Sequence, residues 1–406
     1  MTPGGSSGPG ASGARRPPFA LVLAVTLTGI LGNVLVVPAL PDIARDLGVS
    51  TESVGLLLAS TTAPGIVLAP VIGVLADRFG RRAVLLPCLV VFAVAGGLGA
   101  LAPTFGVLVA LRVLQGVGSA GLLNLAVVLI TDHWEGAERA RMIGRNAATL
   151  TASLVVVPPL GGLITEVGGW RATFVPYWVG LATAAAVASY LPVTGGGRGS
   201  LRHQLALTAQ ALRSWAALGP MMLGGAVFLL VFGLLTTMPV YLDDAFGLGP
   251  GGRGLVLALP AATSTAGALS IARVRARAGV PGVVAGGLVL LAAGLGSAAA
   301  APALGAVVLG LLLYGAGEGL LIATLQTTVA DRAPEESRAA LVATWVGFAR
   351  AGQTAGPILA GVGLGTVGAR GSLAAGATLA GLLAVVHQAL LRAPAARSTP
   401  ADPTPF

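Results

Sequence analysis

Apolar residues along this chain gather into twelve runs separated by short polar breaks. A helix needs about 20 such residues to cross a bilayer. Runs near that length occupy Phe19–Leu40, Val54–Ala76, Ala83–Ala102, Phe105–Thr131, Ala147–Leu163, Phe174–Leu191, Leu218–Leu242, Leu255–Ala272, Val280–Ala301, Leu304–Ala330, Ala339–Gly365 and Leu373–Leu391. The fifth and eighth are the shortest, so their helices are expected to extend into the polar flanks. The pattern predicts an all-α polytopic membrane protein with twelve transmembrane helices.

The breaks carry a sided charge pattern. If the N-terminus is inside, the inner segments hold 18 arginines: 15, 16, 78, 81, 82, 139, 141, 145, 198, 202, 213, 273, 275, 277, 332, 338, 392 and 397. The outer segments hold 4, namely Arg45, Arg171, Arg253 and Arg370. Positive charge is retained on the cytoplasmic side of membrane proteins, so both termini are expected in the cytoplasm and the protein in the cell membrane. Residues 1–18 are rich in Gly, Ser and Pro and are expected to be a disordered tail. Arg15-Arg16 before an apolar run mimics a signal peptide, but the run is too long and lacks a small-residue cleavage site. The expected organisation is a six-helix bundle at 19–193, a cytoplasmic linker at 194–214, a second bundle at 215–391 and a tail at 392–406. Within the linker, Leu201, Leu205 and Leu212 share one helical face opposite Arg202 and Arg213. That pattern fits either a helix on the membrane surface or a plain linker.

Composition removes other classes of function. Hydrophobic residues make up 55% and charged residues 10%, where a soluble domain carries about 25% charged. All 24 bases are Arg. Without Lys there is no phosphate-gripping lysine of a nucleotide-binding loop, and no Schiff base to retinal or pyridoxal. The one cysteine, Cys88, forms no internal disulfide, and His133, His203 and His387 lie far apart without metal-ligand spacing. No metal, cofactor or nucleic-acid partner is expected, and no cluster at catalytic spacing suggests a membrane enzyme or sensor.

The two halves repeat at a shift of 199 residues. Gly55, Leu58 and Ala59 meet Gly254, Leu257 and Ala258; Gly116 and Gly118 meet Gly315 and Gly317; Asp132 meets Asp331; Arg139-Ala140 meets Arg338-Ala339; Pro158 and Gly162 meet Pro357 and Gly361. Parallel six-helix repeats of this kind place a solute site near the midplane between them.

Gly73-Val74-Leu75-Ala76-Asp77-Arg78-Phe79-Gly80-Arg81-Arg82, between spans two and three, resembles the loop signature of the major facilitator superfamily. Leu111-Arg112-Val113-Leu114-Gln115-Gly116-Val117-Gly118 resembles its fourth-helix motif. Pro38-Ala39-Leu40-Pro41-Asp42-Ile43-Ala44 and Gly169-Trp170-Arg171 resemble segments of its twelve-helix drug–proton antiporter branch. The resemblance implies a secondary transporter, not an enzyme, working by alternating access and expected to act as a monomer with a small molecule and protons. It also implies that Asp77 faces the N-terminus of helix eleven near Ala339, latching the inner side with Arg78, Arg81 and Arg82 in support. Gly73 and Gly80 would permit a close approach and a tight turn. Gly116-x-Gly118-x-x-Gly121 also matches a dinucleotide fingerprint, but it lies in an apolar span with no βαβ context, so close helix packing is the better account.

The branch's helix-five motif, Gly-x-x-x-Gly-Pro-x-x-Gly-Gly, reads here Ser153-x-x-x-Val157-Pro158-Pro159-x-Gly161-Gly162. The prolines are expected to bend or loosen the helix. Helix eleven carries a fuller form, Gly352-x-x-x-Gly356-Pro357-x-x-Ala360-Gly361.

Charges inside the membrane are costly and mark function. Three stand out: Arg112, Glu318 and Arg350. Counted from the short inner loop between them, Glu318 and Arg350 lie at similar depth, roughly 18–20 Å at 1.5 Å per residue. That predicts an ion pair, which is either a coupling device in which the carboxyl exchanges a proton for Arg350, or a fixed bridge. Candidate cavity residues are Asn33, Asn124, Tyr314 and Gln353, then Tyr177, Trp178, Phe228, Phe232, Gln326 and Trp345. One interior acid and few other charges suit a hydrophobic, neutral or cationic compound. The sequence therefore reads as a proton-coupled exporter of such compounds. The lost helix-five glycines keep open the alternative of a polar-metabolite carrier, importing or facilitating.

Overall fold

A computed structural model describes residues 16–192, 215–331 and 338–392. The linker helix expected within 194–214 and most of both tails lie outside the described residues. No strand occurs among the described residues. The helices are α1 (Phe19–Asp46), α2 (Thr51–Phe79), α3 (Arg81–Leu101), α4 (Phe105–His133), α5 (Gly136–Ala172), α6 (175–190), α7 (Trp215–Phe246), α8 (250–278), α9 (280–299), α10 (Leu304–Asp331), α11 (338–367) and α12 (369–392). Each coincides with one apolar run. α5 and α8 do extend into polar sequence, as their short runs require. α5 passes through Pro158 and Pro159 without a non-helical residue there; its break falls at Gly169.

The repeat reaches into backbone conformation. Gly48 and Gly247 have φ of 63° and 60°, Gly80 and Gly279 of 90° and 65°, and Gly169 and Gly368 of 73° and 70°. Each pair is separated by 199 residues. A Cβ is strained in this region, so both halves turn at equivalent places and need glycine to do so.

Packing repeats as well. Gly116 abuts the Thr61 carbonyl of α2 and Gly118 the Cys88 carbonyl of α3, while Gly315 abuts Pro260 of α8 and Gly317 abuts Gly287 of α9. All four contacts are related by the same shift. This is close helix packing through small residues, as read from sequence. The result is two six-helix bundles, α1–α6 and α7–α12, whose buried apolar residues, such as Phe92, Phe174 and Tyr177 in the first and Leu288, Leu291 and Leu311 in the second, belong to one continuous core.

Candidate functional site: the interface between the halves

The halves meet at the end where Arg45, Arg171, Arg253 and Arg370 lie, the Arg-poor end. There α2 crosses α11 and α5 crosses α8, through residues that the repeat matches. Gly55 lies on the Pro357 carbonyl and Gly254 on the Pro158 carbonyl; Gly361 lies on the Glu52 carbonyl and Gly162 on the Pro250 carbonyl. A side chain at any of the four would overlap the other half's backbone, so only glycine allows the crossing.

Charges tie the same end. Arg253, 1% exposed, donates to Asp42 at 2.7 Å. Arg45 bonds Asp42 at 2.7 Å and Asp243 at 3.1 Å. Asp42 and Arg45 belong to the first half, Asp243 and Arg253 to the second. Asp46 accepts from Trp170 Nε1 at 2.9 Å and from Arg171, whose guanidinium lies over the Trp170 ring. The Gly169-Trp170-Arg171 segment therefore pins the end of α1 to the α5–α6 turn. Among the described residues, every ion pair between the halves lies at this end.

Deeper in the membrane, the Thr62 hydroxyl meets the Thr354 hydroxyl at 3.0 Å and the Gln353 carbonyl at 3.3 Å. Beside them Arg350, 8% exposed, lies along Gly65 of α2 and donates to the Gln353 side chain at 3.3 Å. Arg350 thus serves the interface. It forms no ion pair with Glu318, contrary to the sequence expectation. The physical reason is packing: α10 seats on α8 and α9 through Gly315, Gly319 and Gly317, whereas α11 seats on α7 through Gly352 and Gly356. A short loop joins α10 to α11 and equalises their depth, but it does not make them neighbours. Glu318 is partly buried, without an ion pair or hydrogen bond among the described residues, one helical turn after Tyr314 on α10.

Arg112 is 1% exposed and fully engaged. It donates to the Gly32 carbonyl (2.8 Å), Gln115 (2.7 Å), the Leu57 carbonyl (3.4 Å) and the Tyr177 hydroxyl (3.4 Å). It rivets α1, α2, α4 and α6 of one half. Tyr314, expected in the cavity wall, is 1% exposed and its hydroxyl has no partner among the described residues. Tyr177 at 0%, Trp345 at 5% and Phe232 at 7% are likewise core residues. Asn124 and Gln326 are exposed, Trp178 is 39% exposed, and Asn33, Phe228 and Gln353 are partly buried.

At the opposite, Arg-rich end the signature loop keeps its bonds within its own half. Asp77 pairs with Arg81, which also reaches Asp132 at 2.9 Å, and Arg82 donates to the Leu191 carbonyl at 3.0 Å. Arg78 lies over the Phe79 ring. Gly80 makes the tight turn, but Gly73 meets nothing within 4 Å, so the close approach expected there is not made in this conformation.

The cross-half ion network escaped the sequence reading because its members lie about 200 residues apart. One signal was available: Arg253 is among only four arginines in the Arg-poor segments.

Comparisons with known proteins agree with this architecture. The family model described as Major Facilitator Superfamily matches residues 22–279 and 221–406. The chain is 34% identical over 160 residues to the bacillibactin exporter of Bacillus subtilis (strain 168), covering 38% of this chain and 39% of that protein. It is 31% identical over 259 residues to the chloramphenicol resistance protein of Streptomyces lividans, covering 62% and 64%. It is 33% identical over 138 residues to the quinolone resistance protein NorA of Staphylococcus aureus (strain Mu50 / ATCC 700699), covering 34% and 35%. Each match spans less than two thirds of the relative's length. Among solved structures, a bacterial homologue of the human lysosomal transporter Spinster, inward-facing and unoccupied, aligns with a TM-score of 0.76 at 19% identity, covering 93% of this chain and 97% of that one. The nucleoside transporter NupG (D323A mutant) aligns at 0.74 and 13%, covering 92% and 99%. These two share the fold.

Proposed function

We propose that this chain, which belongs to the major facilitator superfamily, is a proton-coupled exporter of small hydrophobic compounds that works by alternating access. Its place is the cell membrane, with both termini in the cytoplasm and the chain acting as a monomer. The arginine distribution supports that orientation. The names of the three relatives, an exporter and two resistance proteins, support export. So does the Pro158–Gly162 segment. Although Ser153 and Val157 replace two motif glycines, Pro158 and Gly162 still form the α5–α8 crossing.

The observation that carries the reading is a single acid inside the membrane with no cation beside it among the described residues. A carboxylate in the membrane interior without a partner is costly. Glu318 therefore holds either a proton or a group on the compound that replaces it. In the conformation described here the Arg-poor end is shut, so compound enters from the cytoplasm and the proton leaves to it. Opening the Arg-poor end breaks the Asp42–Arg253 and Arg45–Asp243 pairs and parts Thr62 from Thr354. Closing the other end brings α11 toward the empty space at Gly73 and toward Asp77. Arg350, lying on α2, reports which end is closed.

The test is transport into inverted vesicles energised by a proton gradient, using a panel of hydrophobic compounds. Glu318→Gln keeps the shape and removes the exchangeable proton. It is expected to abolish gradient-driven uptake at normal expression while retaining pH-independent binding of neutral compounds. Intact gradient-driven uptake in Glu318→Gln would overturn the assignment.

A further inference from the structure

The second half contains a cavity of about 190 Å³ between α7, α9, α11 and α12. Four glycines help to line it: Gly233, Gly356, Gly363 and Gly376. At the shift of 199 residues their counterparts are Val34, Val157, Ile164 and Tyr177. In the first half that volume is filled. Tyr177 is 0% exposed, Val34 3% and Val157 5%, and the Tyr177 hydroxyl is held by Arg112. The cavity is therefore a departure from the repeat: the first half inserts the Tyr177 ring beside Gly96 and Gly180, and in the second half Leu295 and Leu379 at those two positions line the space without filling it.

The walls say what fits. Apart from Thr237 and Ser372, the lining side chains are apolar, and those two hydroxyls meet each other at 3.3 Å. Cavities of this size with apolar walls stay dry and take hydrocarbon; one of about 150 Å³ holds a benzene ring. The mouth lies between α11 and α12. Leu359 lines the cavity yet is 57% exposed, on the same face as Ile358 (41%) and Val362 (57%), and Ala375 of α12 is exposed beside it. That face is continuous with the apolar surface of a membrane-spanning helix, so the mouth opens at the depth of the acyl chains.

We propose that this cavity seats one acyl chain of a bilayer lipid, which completes in the second half the packing that Tyr177 completes in the first. Gly376 sits where a side chain would enter it: a Cβ there would lie 3.2 Å from Leu295 and 3.6 Å from Leu230.

The test uses the full chain in proteoliposomes containing phosphatidylglycerol with a diazirine near the end of one acyl chain. After irradiation, label is mapped by peptide mass spectrometry. The expected result is enrichment on residues 229–237 and 372–379 over the open lipid face around Leu382 and Leu390. Gly376→Phe should cut that enrichment at least fivefold and leave the open-face label unchanged. Should Gly376→Phe fail to fold, Gly233→Val restores the first half's residue at a site where the nearest atom to a new Cβ is 3.7 Å away, and should lower the label in the same direction. Label unaffected by filling, or no richer than the open face, would overturn the proposal. So would displacement of the label by toluene at constant lipid, which would give the cavity to free solutes instead.

Discussion

Arg112 and Arg350 are both buried arginines on helices of the membrane interior, 1% and 8% exposed, yet their surroundings differ. Arg112 bonds to four residues that all belong to its own half. Among the described residues Arg350 has one side-chain partner, Gln353 on its own helix, and its side chain lies on Gly65 of the other half. The repeat does not conserve either charge: Leu311 stands at the counterpart of Arg112, and Thr151 at that of Arg350. Glu318 faces the same asymmetry, with Ser119 as its counterpart. A buried cation whose donors are fully used within one rigid body fixes that body. One left on a surface that must separate, or an acid left with no cation, has a free energy that changes as the halves move. On the proposed cycle the first half is a riveted frame, and the second carries the groups that would respond.

The largest expected effect breaks this contrast directly. Arg112→Leu takes the guanidinium from the Gly32 carbonyl, the Gln115 side chain and the Tyr177 hydroxyl in the interior, while the Leu57 carbonyl keeps the Ser60 and Thr61 hydroxyls. At about 1–3 kcal/mol for each buried polar group left unpaired, the folded yield should collapse. Arg112→Lys should rescue little, because one ammonium cannot spread over acceptors on three helices and a ring. Arg350→Leu removes one bond at an interface and should leave folded yield near wild type while lowering transport. Thermal unfolding of both variants in detergent checks the pair. Equal loss of stability in the two would erase the distinction.

A smaller effect concerns the Arg-poor end, where the halves are tied by charge. Asp42→Asn leaves Arg253 buried with no full counter-charge, since Asp243 is 4.0 Å away and two further guanidinium nitrogens have no partner among the described residues. Losing a charged hydrogen bond costs about 2 kcal/mol, which is about a thirtyfold change in the balance of conformations. The variant should open outward more often. Alkylation of a cysteine introduced at Gly55 would be unsuitable, because any side chain there breaks the crossing; a cysteine at Thr62 reads the opening instead. Faster labelling of Thr62→Cys from the Arg-poor side in the Asp42→Asn background is expected. An exchange of charges, Asp42→Arg with Arg253→Asp, should restore part of the slow rate, and an unchanged rate in Asp42→Asn would refute the tie.

How far the sequence could be read follows from the same contrast. Spans and repeat were legible because each depends on local residues: apolar runs set helix length, and Gly55, Pro158, Gly254 and Pro357 match at one shift. The three pairs of left-handed glycines were also legible in principle, at the same shift, as was the match of Arg171 to Arg370. The Glu318–Arg350 pair was misread because equal depth is a one-dimensional property, while contact depends on which helices pack side by side. The Asp42–Arg253–Asp243–Arg45 network was missed for the same reason, since its members come together only when two separate bundles dock. Sequence exposes what each half must do alone more readily than what the halves do to each other.

The smallest expected effect tests the end that is not tied. Asp77 already has a partner in this conformation, Arg81, and both side chains are partly exposed, at 38% and 22%. Exposed pairs contribute about 0–1 kcal/mol, and Arg81 keeps Asp132 in any case. Asp77→Asn should therefore cost this conformation little. If the loop faces the N-terminus of α11 once that end closes, the lost interaction there is about 0.3–2 kcal/mol. The sign then follows: the closed arrangement loses more than the open one, so the variant rests longer in the conformation described here. Because a two-state balance responds to biases of this size, turnover should fall two- to tenfold with expression and thermal stability unchanged. Arg81→Gln supplies the control, since it removes the Asp77 partner seen here but leaves the carboxylate free for α11. Lower turnover in Asp77→Asn than in Arg81→Gln assigns the effect to the closed state. Equal turnover in the two, or wild-type turnover in Asp77→Asn, would confine Asp77 to bracing its own loop.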